Sequence, residues 1–326
     1  MKTVKWGIIG CGDIARKRVI PALKDLRTCE LIALCRARAE LAETCAAEFG
    51  VPGWYASWTD MLRDSEIEAV YIATPVHLHC EQTVEAAEAG KHVLCEKPMA
   101  LNTAECDRMI AACGANGVKL GIAYYRHFYP VVERIREILN SGEIGKSVLC
   151  QMNAFEYYNP DPSDRRYWFL RKDLSGGGPM FDFGCHRIEV LLNLFGKESF
   201  SAGFISKVAF EREVEDTATA YLGFPSGPRA VLTVTHASFE SRDTLDIFGT
   251  DGALHVPSLN KEILVVKTRA GERMEQHPAH PNFHLPLIAD FTKAVLENRE
   301  PRVDGNAGRE VNRVLENIYN GWNFIK

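Results

Sequence analysis

This sequence lacks a basic excess, a C-x-x-C pair and any apolar run near the roughly 18 residues of a membrane-spanning helix. Lys plus Arg number 38 against 43 Asp plus Glu, a formal charge of -5. The electrostatics that drive binding along a phosphate backbone are therefore missing, which excludes nucleic acid as an expected partner. The ten cysteines show neither zinc-ribbon nor thioredoxin spacing. Several sit inside apolar runs, such as Cys95 in His92–Cys95, where a free thiol acts as a small hydrophobe. Val4–Ile9 follows Met1 almost directly, with no charged and apolar leader pattern before it. These absences predict a reducing, cytoplasmic setting. No internal repeat or low-complexity tract interrupts the chain.

What is present is alternation. The 326 residues are too many for one ordinary core and predict two domains. Apolar runs at Val4–Ile9, Leu31–Leu34, Ala69–Ala73, His92–Cys95 and Leu120–Ala123 are separated by helix-like stretches. Those stretches are Asp13–Leu26, Ala39–Phe49, Leu78–Ala89 and Thr103–Ala115. The pattern predicts an α/β Rossmann domain over 1–123 with a mostly parallel, doubly wound sheet. Thr103 is the expected N-cap of its helix, and Gly50, Gly90 and Gly117 fall where helices should stop. From 124 to 326 the texture changes. A helix at Val131–Leu139 precedes β-prone segments at Ser147–Phe155, Ser201–Arg212, Thr217–Phe224, Ala230–Ala237, Thr244–Phe248 and Ile263–Lys267. Helices at Leu285–Asn298 and Gly308–Asn323 close the chain. This second part reads as an α+β domain with a largely antiparallel sheet.

The first strand runs into Gly10-Cys11-Gly12-Asp13-Ile14-Ala15, a G-x-G-x-x-A pattern opening a helix. Gly10 permits the tight turn, Gly12 lets a pyrophosphate approach the backbone, and Ala15 allows close helix–strand packing. Amides at the start of the helix, around Asp13 and Ile14, would face the phosphates. Where an NAD enzyme usually places an acid for the ribose hydroxyls, the second strand ends in Arg36-Ala37-Arg38. A guanidinium suits a 2′-phosphate, so NADP(H) is expected over NAD(H); the competing reading is that both arginines are solvated surface charges. Thr74 and Pro75 end another strand at the same sheet edge and should border the nicotinamide half.

Two further clusters carry chemistry. Glu96-Lys97-Pro98 follows strand His92–Cys95, and an ammonium there can stabilise a developing oxyanion. Taken alone, the tripeptide is equally a surface turn. Gly176-Gly177-Gly178 leads to Asp182 and His186, four residues apart and on one face if helical. Such a pair can handle the proton of an alcohol, because imidazole titrates near neutrality. The bland alternatives are a flexible loop and a satisfied core histidine.

Taken together, Gly10-x-Gly12-x-x-Ala15, Ala89-Gly90-Lys91-His92-Val93-Leu94-Cys95-Glu96-Lys97-Pro98 and Gly176-Gly177-Gly178 with Asp182-x-x-x-His186 resemble the glucose–fructose oxidoreductase/inositol dehydrogenase/rhizopine-catabolism (Gfo/Idh/MocA) family. The order and spacing hold over nearly the whole chain. The resemblance implies a Rossmann domain followed by a domain with an open sheet used for homo-oligomerisation as a dimer or tetramer. It implies no metal, a cis Lys97-Pro98 bond, Glu96 and Lys97 at the cofactor, catalytic Lys97, substrate-orienting Asp182 and His186 as acid/base. Arg36 and Arg38 resemble the NADP-using dihydrodiol/xylose dehydrogenase branch. The family often has Asn after Thr-Pro; Val76 stands here, and no role is carried to it. The family also implies that the Trp168–Arg171 stretch approaches substrate, so Tyr125, Trp168 and Arg171 join the candidate contacts, although core and interface packing is the readier account of any single aromatic. His277, His280 and His284 lie among prolines and read as a linker rather than a metal site.

The expected activity is hydride transfer between nicotinamide and a sugar, polyol or related alcohol or carbonyl. A keto-sugar reductase working in the opposite direction, a catalytically silent NADP-sensing regulator and a scaffold assembling through its sheet are the alternatives. Retention of Lys97, Asp182 and His186 together argues against the silent regulator.

Overall fold

The structure, a computed structural model, describes residues 2–225 and 227–321. The chain forms two compact units. The first comprises the chain to Tyr125 together with His280–Arg309, and the second comprises Arg126–Ala279 and the chain from Glu310.

In the first unit six strands form one parallel sheet: β1 (Val4–Ile9), β2 (Cys29–Cys35), β3 (Gly53–Tyr55), β4 (Ala69–Ile72), β5 (His92–Cys95) and β6 (Leu120–Ile122). Their order is β3-β2-β1-β4-β5-β6, with every neighbouring pair parallel. This is the dinucleotide-binding order, and its switch point lies between β1 and β4. β4 is fully buried and β1 nearly so, as strands covered on both sides must be. The connecting helices are α1 (Ile20–Asp25), α2 (Ala39–Phe49), α3 (Trp58–Leu62), α4 (His79–Glu88) and α5 (Thr103–Ala115). Gly50, Gly90 and Gly117 adopt φ of 61°, 73° and 65°, as helix-terminal glycines do. The cap of α5 is Asn102 rather than the expected Thr103. Its backbone is extended and its side chain accepts from the Glu105 amide at 2.9 Å, leaving Thr103 as the first helical residue.

The expected contiguous second domain is interrupted. α9 (Leu285–Glu297) returns to the first unit, where Phe291 packs on Trp6 with ring centroids 5.6 Å apart. Both rings are fully buried, and each such burial contributes about 2–3 kcal/mol. A Cβ on Gly121 of β6 would stand 2.6 Å from the Phe291 ring, so the absence of a side chain there admits the helix.

The second unit carries an eight-stranded sheet ordered β14-β13-β12-β11-β7-β10-β9-β8. Its strands are β7 (Ser147–Tyr157), β8 (Phe200–Ser206), β9 (Thr217–Gly223), β10 (Arg229–Thr235), β11 (Ala237–Gly249), β12 (Gly252–Val256), β13 (Ile263–Thr268) and β14 (Gly271–Gln276). All neighbours are antiparallel except β7 and β10. Helices α6 (Pro130–Ser141), α7 (Lys172–Ser175), α8 (Cys185–Phe195) and α10 (Gly305–Asn320) complete the fold, the first turns of α10 belonging with the first unit. The last two residues of the expected Gly308–Asn323 helix lie outside the described residues.

Alternation of buried and half-exposed residues along β9 and β10 gives the sheet one covered face and one open face. On the covered side, a Cβ on Gly203 of β8 would meet Ile318 of α10 at 2.6 Å. Phe204, aligned with Thr219, points the other way and is 55% exposed. β8 ends at Ser206 rather than continuing to Arg212. The Asp216 carboxylate accepts from the amides of Val208, Ala209 and Phe210 at 2.8–3.0 Å and turns the chain out of the ladder.

Candidate active site

Hydrogen-bond register brings the candidate residues of the first unit to one sheet edge. Ile9, Ile72 and Cys95 are aligned across β1, β4 and β5. The ladder continues past them, with Ala73 donating to the Ile9 carbonyl at 2.8 Å and Glu96 to the Ile72 carbonyl at 2.9 Å. Gly10, Thr74, Pro75, Glu96 and Lys97 therefore follow the carboxyl ends of adjacent parallel strands, where open α/β sheets bind their ligands.

The glycines of the first turn have different causes. Gly10 has φ +93°, and a Cβ there would lie 2.7 Å from the Ala73 carbonyl oxygen, so the polypeptide itself requires glycine. Gly12 has no such cause: its φ is not positive, and an added Cβ would meet nothing within 4 Å among the described residues. Its missing side chain leaves bare backbone open at the start of a helix, as a dinucleotide pyrophosphate requires. Ala15 is fully buried, while Asp13 and Ile14 are half-buried in the first turn. Arg36 is half-buried and donates to the Cys11 carbonyl at 3.4 Å, placing its guanidinium over this turn. Arg38 is exposed and precedes α2. No acid stands between Cys35 and Arg38.

Lys97 is half-buried, and the Lys97-Pro98 bond is cis, as the resemblance implied. Glu96 is turned inward rather than presented to a ligand. It is 8% exposed, and its carboxylate accepts from Tyr71 Oη at 2.7 Å and from the Lys97 amide at 3.2 Å, with His284 Nε2 3.4 Å away. Burial raises the Glu96 pKa, but the His284, Tyr71 and Lys97 interactions outweigh it, and the net shift is downward. Glu96 thus stays ionised and steadies the turn carrying Lys97. His284, read from sequence as part of a linker, is a buried partner of this carboxylate and stands 4.9 Å, ring to ring, from Tyr125.

His79 binds the two ligand-edge turns together. Its Nδ1 lies 3.0 Å from the Pro98 carbonyl oxygen and its Nε2 2.9 Å from that of Thr74. The ring is buried. Burial lowers its pKa, opposed by the two carbonyls, which favour a proton on both ring nitrogens.

In the second unit Asp182 and His186 lie at the start of one continuous helix. Met180–Gly184 forms a π-turn before α8, a feature frequent at functional sites. The preceding glycines are neither a flexible loop nor a ligand-facing one. A Cβ on Gly178 would stand 2.1 Å from the Glu215 carbonyl, and one on Gly177 would stand 2.2 Å from Tyr319 Oη. The buried Glu215 carboxylate accepts from the Gly178 and Met180 amides at 2.9 and 3.3 Å and from Tyr319 Oη at 2.5 Å. The glycines let the chain close around this carboxylate, which fixes the helix start that carries Asp182 and His186.

Beside Asp182 lies His236, only 1% exposed. Its Nδ1 accepts from Arg212 at 3.1 Å, and its Nε2 lies 3.8 Å from Asp182 Oδ2 and 3.6 Å from Glu156 Oε1. Burial, reinforced by the Arg212 charge and opposed by Asp182 and Asp216, pushes its pKa down to about 4. Of the other expected contacts, Trp168 stacks on Phe169 at 3.9 Å between centroids, and exposed Arg171 pairs with Glu213 and Asp173 at 2.8 and 3.3 Å. His79, His236, His284 and Glu215 were not anticipated from sequence. Each depends on partners distant along the chain, and none sits in a periodic pattern.

Comparison with known proteins agrees with this geometry. Residues 4–124 match the family described as "Oxidoreductase family, NAD-binding Rossmann fold", and residues 132–255 match "GFO/IDH/MocA C-terminal domain". Oxidoreductase ORF334 of Rhizobium meliloti, itself uncharacterized, is 36% identical over 77% of this chain and 73% of its own. D-xylose 1-dehydrogenase (NADP(+)) 2 of Haloferax volcanii is 30% identical over 96% of both. Among solved structures, the aldose-aldose oxidoreductase of Caulobacter crescentus, complexed with glycerol, superposes with a TM-score of 0.89 at 27% identity, covering 98% of this chain and 97% of that one.

The His79 bridge predicts a positioning effect. His79→Leu, close in volume but unable to hydrogen-bond, should lower turnover roughly ten- to hundredfold while substrate KM stays within about threefold. His79→Gln, which retains a donor, should recover part of the loss. Steady-state kinetics below the unfolding midpoint check this; equal kcat in both variants and in the parent would remove His79 from the site.

Proposed function

This chain belongs to the Gfo/Idh/MocA family and is an NAD(P)-binding oxidoreductase; on that premise we propose that it interconverts a hydroxyl and a carbonyl on a sugar or polyol, with Lys97 and His186 as its catalytic residues. The observation that carries the reading is register: Lys97 stands two residues past the end of β5, on the sheet edge where β1 delivers the glycine turn and β4 delivers Thr74. When bound, the nicotinamide supplies or accepts the hydride. The residues of the chain do the rest. The Lys97 ammonium hydrogen-bonds the reacting oxygen and favours its anionic form. His186 takes the hydroxyl proton during oxidation and returns it during reduction. Asp182 orients the substrate by accepting from a hydroxyl.

The cofactor is NADP(H) in preference to NAD(H). Support comes from Arg36 over the phosphate turn, Arg38 beside it and the absence of an acid at the end of β2. Gly10, Gly12, Asp13, Ile14, Thr74 and Pro75 form the remaining cofactor surface. The protein resides in the cytoplasm, a setting consistent with ten free cysteines, nine of them buried. It assembles as a dimer or tetramer through the open face of the eight-stranded sheet, where Phe200, Phe204 and Tyr221 are 57%, 55% and 41% exposed.

Three measurements test these statements. Lys97→Met should reduce turnover by about two orders of magnitude or more while leaving NADP(H) affinity, read by nicotinamide fluorescence, nearly intact; near-native turnover would refute the catalytic assignment. Replacing Arg36 and Arg38 with Ala should raise the KM for NADP⁺ about tenfold or more with little change for NAD⁺; a parent enzyme preferring NAD⁺ overturns the cofactor choice. Sedimentation should give two or four chains per particle, and Phe204→Asp should shift it toward one chain; a monomeric parent rules the assembly out.

A further inference from the structure

The cluster of Glu156, Asp182 and His236 has the composition of a cation site. Its three ligand-type atoms lie within 4.8 Å of one another. The tautomer of His236 argues against a metal. Arg212 is a permanent donor, and its Nη2 lies 3.1 Å from His236 Nδ1, so that nitrogen must offer its lone pair. The proton of the neutral ring then resides on Nε2, the atom turned toward the two carboxylates. A metal would need the lone pair of Nε2 and would force an N–H at Nδ1 against the guanidinium.

The burial gradient gives the alternative. His236 is enclosed, with Nε2 buried and without a hydrogen-bond partner among the described residues, between the rings of Tyr158 and Phe183, each 5.1 Å away. Asp182 keeps 24% of its side chain open and Glu156 keeps 47%. Glu156 and Phe183 also line a cavity of about 630 Å³, whose walls include Arg187, Asp243 and Thr244. Nε2 lies 3.6 Å from Glu156 Oε1 and 3.8 Å from Asp182 Oδ2, too far for a full hydrogen bond to either. Its N–H dipole nonetheless faces both carboxylates and favours negative charge on that side of the ring. Two adjacent carboxylates offer only acceptors. What they match is a ligand bringing two donors on neighbouring atoms.

Resting on the reading of the chain as a sugar or polyol oxidoreductase, we propose that Glu156 and Asp182, held by His236, form a corner that grips two neighbouring hydroxyls of the substrate, with Glu156 as a specificity-determining residue. Asp182 orients the hydroxyl next to the reacting carbon, and Glu156 accepts from the one beyond it. His236 is a positioning residue that acts through both. The substrate class narrows accordingly to compounds with hydroxyls on adjacent carbons.

The test is steady-state kinetics with NADP⁺ and NAD⁺ over neutral aldoses and polyols, each paired with a deoxy counterpart lacking the hydroxyl assigned to Glu156; for oxidation at C1, D-glucose with 3-deoxy-D-glucose is one pair. The parent enzyme should favour the full polyol by about tenfold or more in kcat/KM, mainly through KM, because a site built to bind a hydroxyl rejects its absence. Glu156→Leu, a change at a half-open side chain, should lower kcat/KM on the full polyol by a similar factor while losing most of the discrimination. His236→Gln should raise KM with kcat held within about threefold. Equilibrium dialysis with Zn²⁺ or Mg²⁺ should show no stoichiometric uptake. Unchanged discrimination in Glu156→Leu, with turnover otherwise normal, overturns the corner and leaves the oxidoreductase reading intact. So does one-to-one metal uptake that His236→Gln abolishes. Absence of turnover on every pair sinks the sugar or polyol reading and this proposal with it.

Discussion

The alignment of Ile9, Ile72 and Cys95 across three parallel strands is the constraint on which the first unit depends. Parallel pairing sets successive strands in one direction, so their carboxyl ends collect at a single edge. The chain leaves the ladder just past each of those positions, after one further ladder hydrogen bond. One exit requires a glycine turn, one supplies Thr74 and Pro75, and one supplies the Glu96-Lys97-Pro98 turn. His79 then joins two of these exits through backbone carbonyls, an interaction that does not depend on which side chains the turns carry.

The second unit reaches a comparable result by different means. Its sheet is mostly antiparallel and gathers no set of strand ends. A buried carboxylate organises the chain instead: Glu215 draws in the amides of Gly178 and Met180 and the hydroxyl of Tyr319. Asp216, the next residue, gathers three amides on the far side of the same loop. Consecutive acids thus fix two separate backbone segments. The first of these segments opens the helix of Asp182 and His186. Side chains that gather several backbone donors are costly to displace, so such a loop can be firm without belonging to a regular element.

Much of the fold was legible because its elements carry strong local signals. β1, β4 and β5 are near-continuous apolar runs, and α2 and α5 have the expected bounds because glycine, asparagine or a change of period marks their ends. β14 was not anticipated: Gly-Glu-Arg-Met-Glu-Gln is a charged, exposed edge strand without an apolar face. In the site, the motif residues were legible and their supports were not. Gly178 and Glu215 are 37 positions apart, and His79 and Pro98 are 19 apart. No local pattern marks such partners. The glycine run shows the limit most clearly, since tight packing on Glu215 and ligand approach demand the same residue type.

The return of α9 to the first unit bears on biosynthesis. Trp6 precedes the eight-stranded sheet in the chain, yet its partner Phe291 comes only after that whole sheet has been made. Chains often fold their leading domain while the rest is still being synthesised. Here the parallel sheet must wait, one hydrophobic flank uncovered, while the eight strands between β6 and α9 are synthesised. The fully buried position of Trp6 therefore exposes the nascent chain to chaperone capture, an exposure that a contiguous leading domain would avoid.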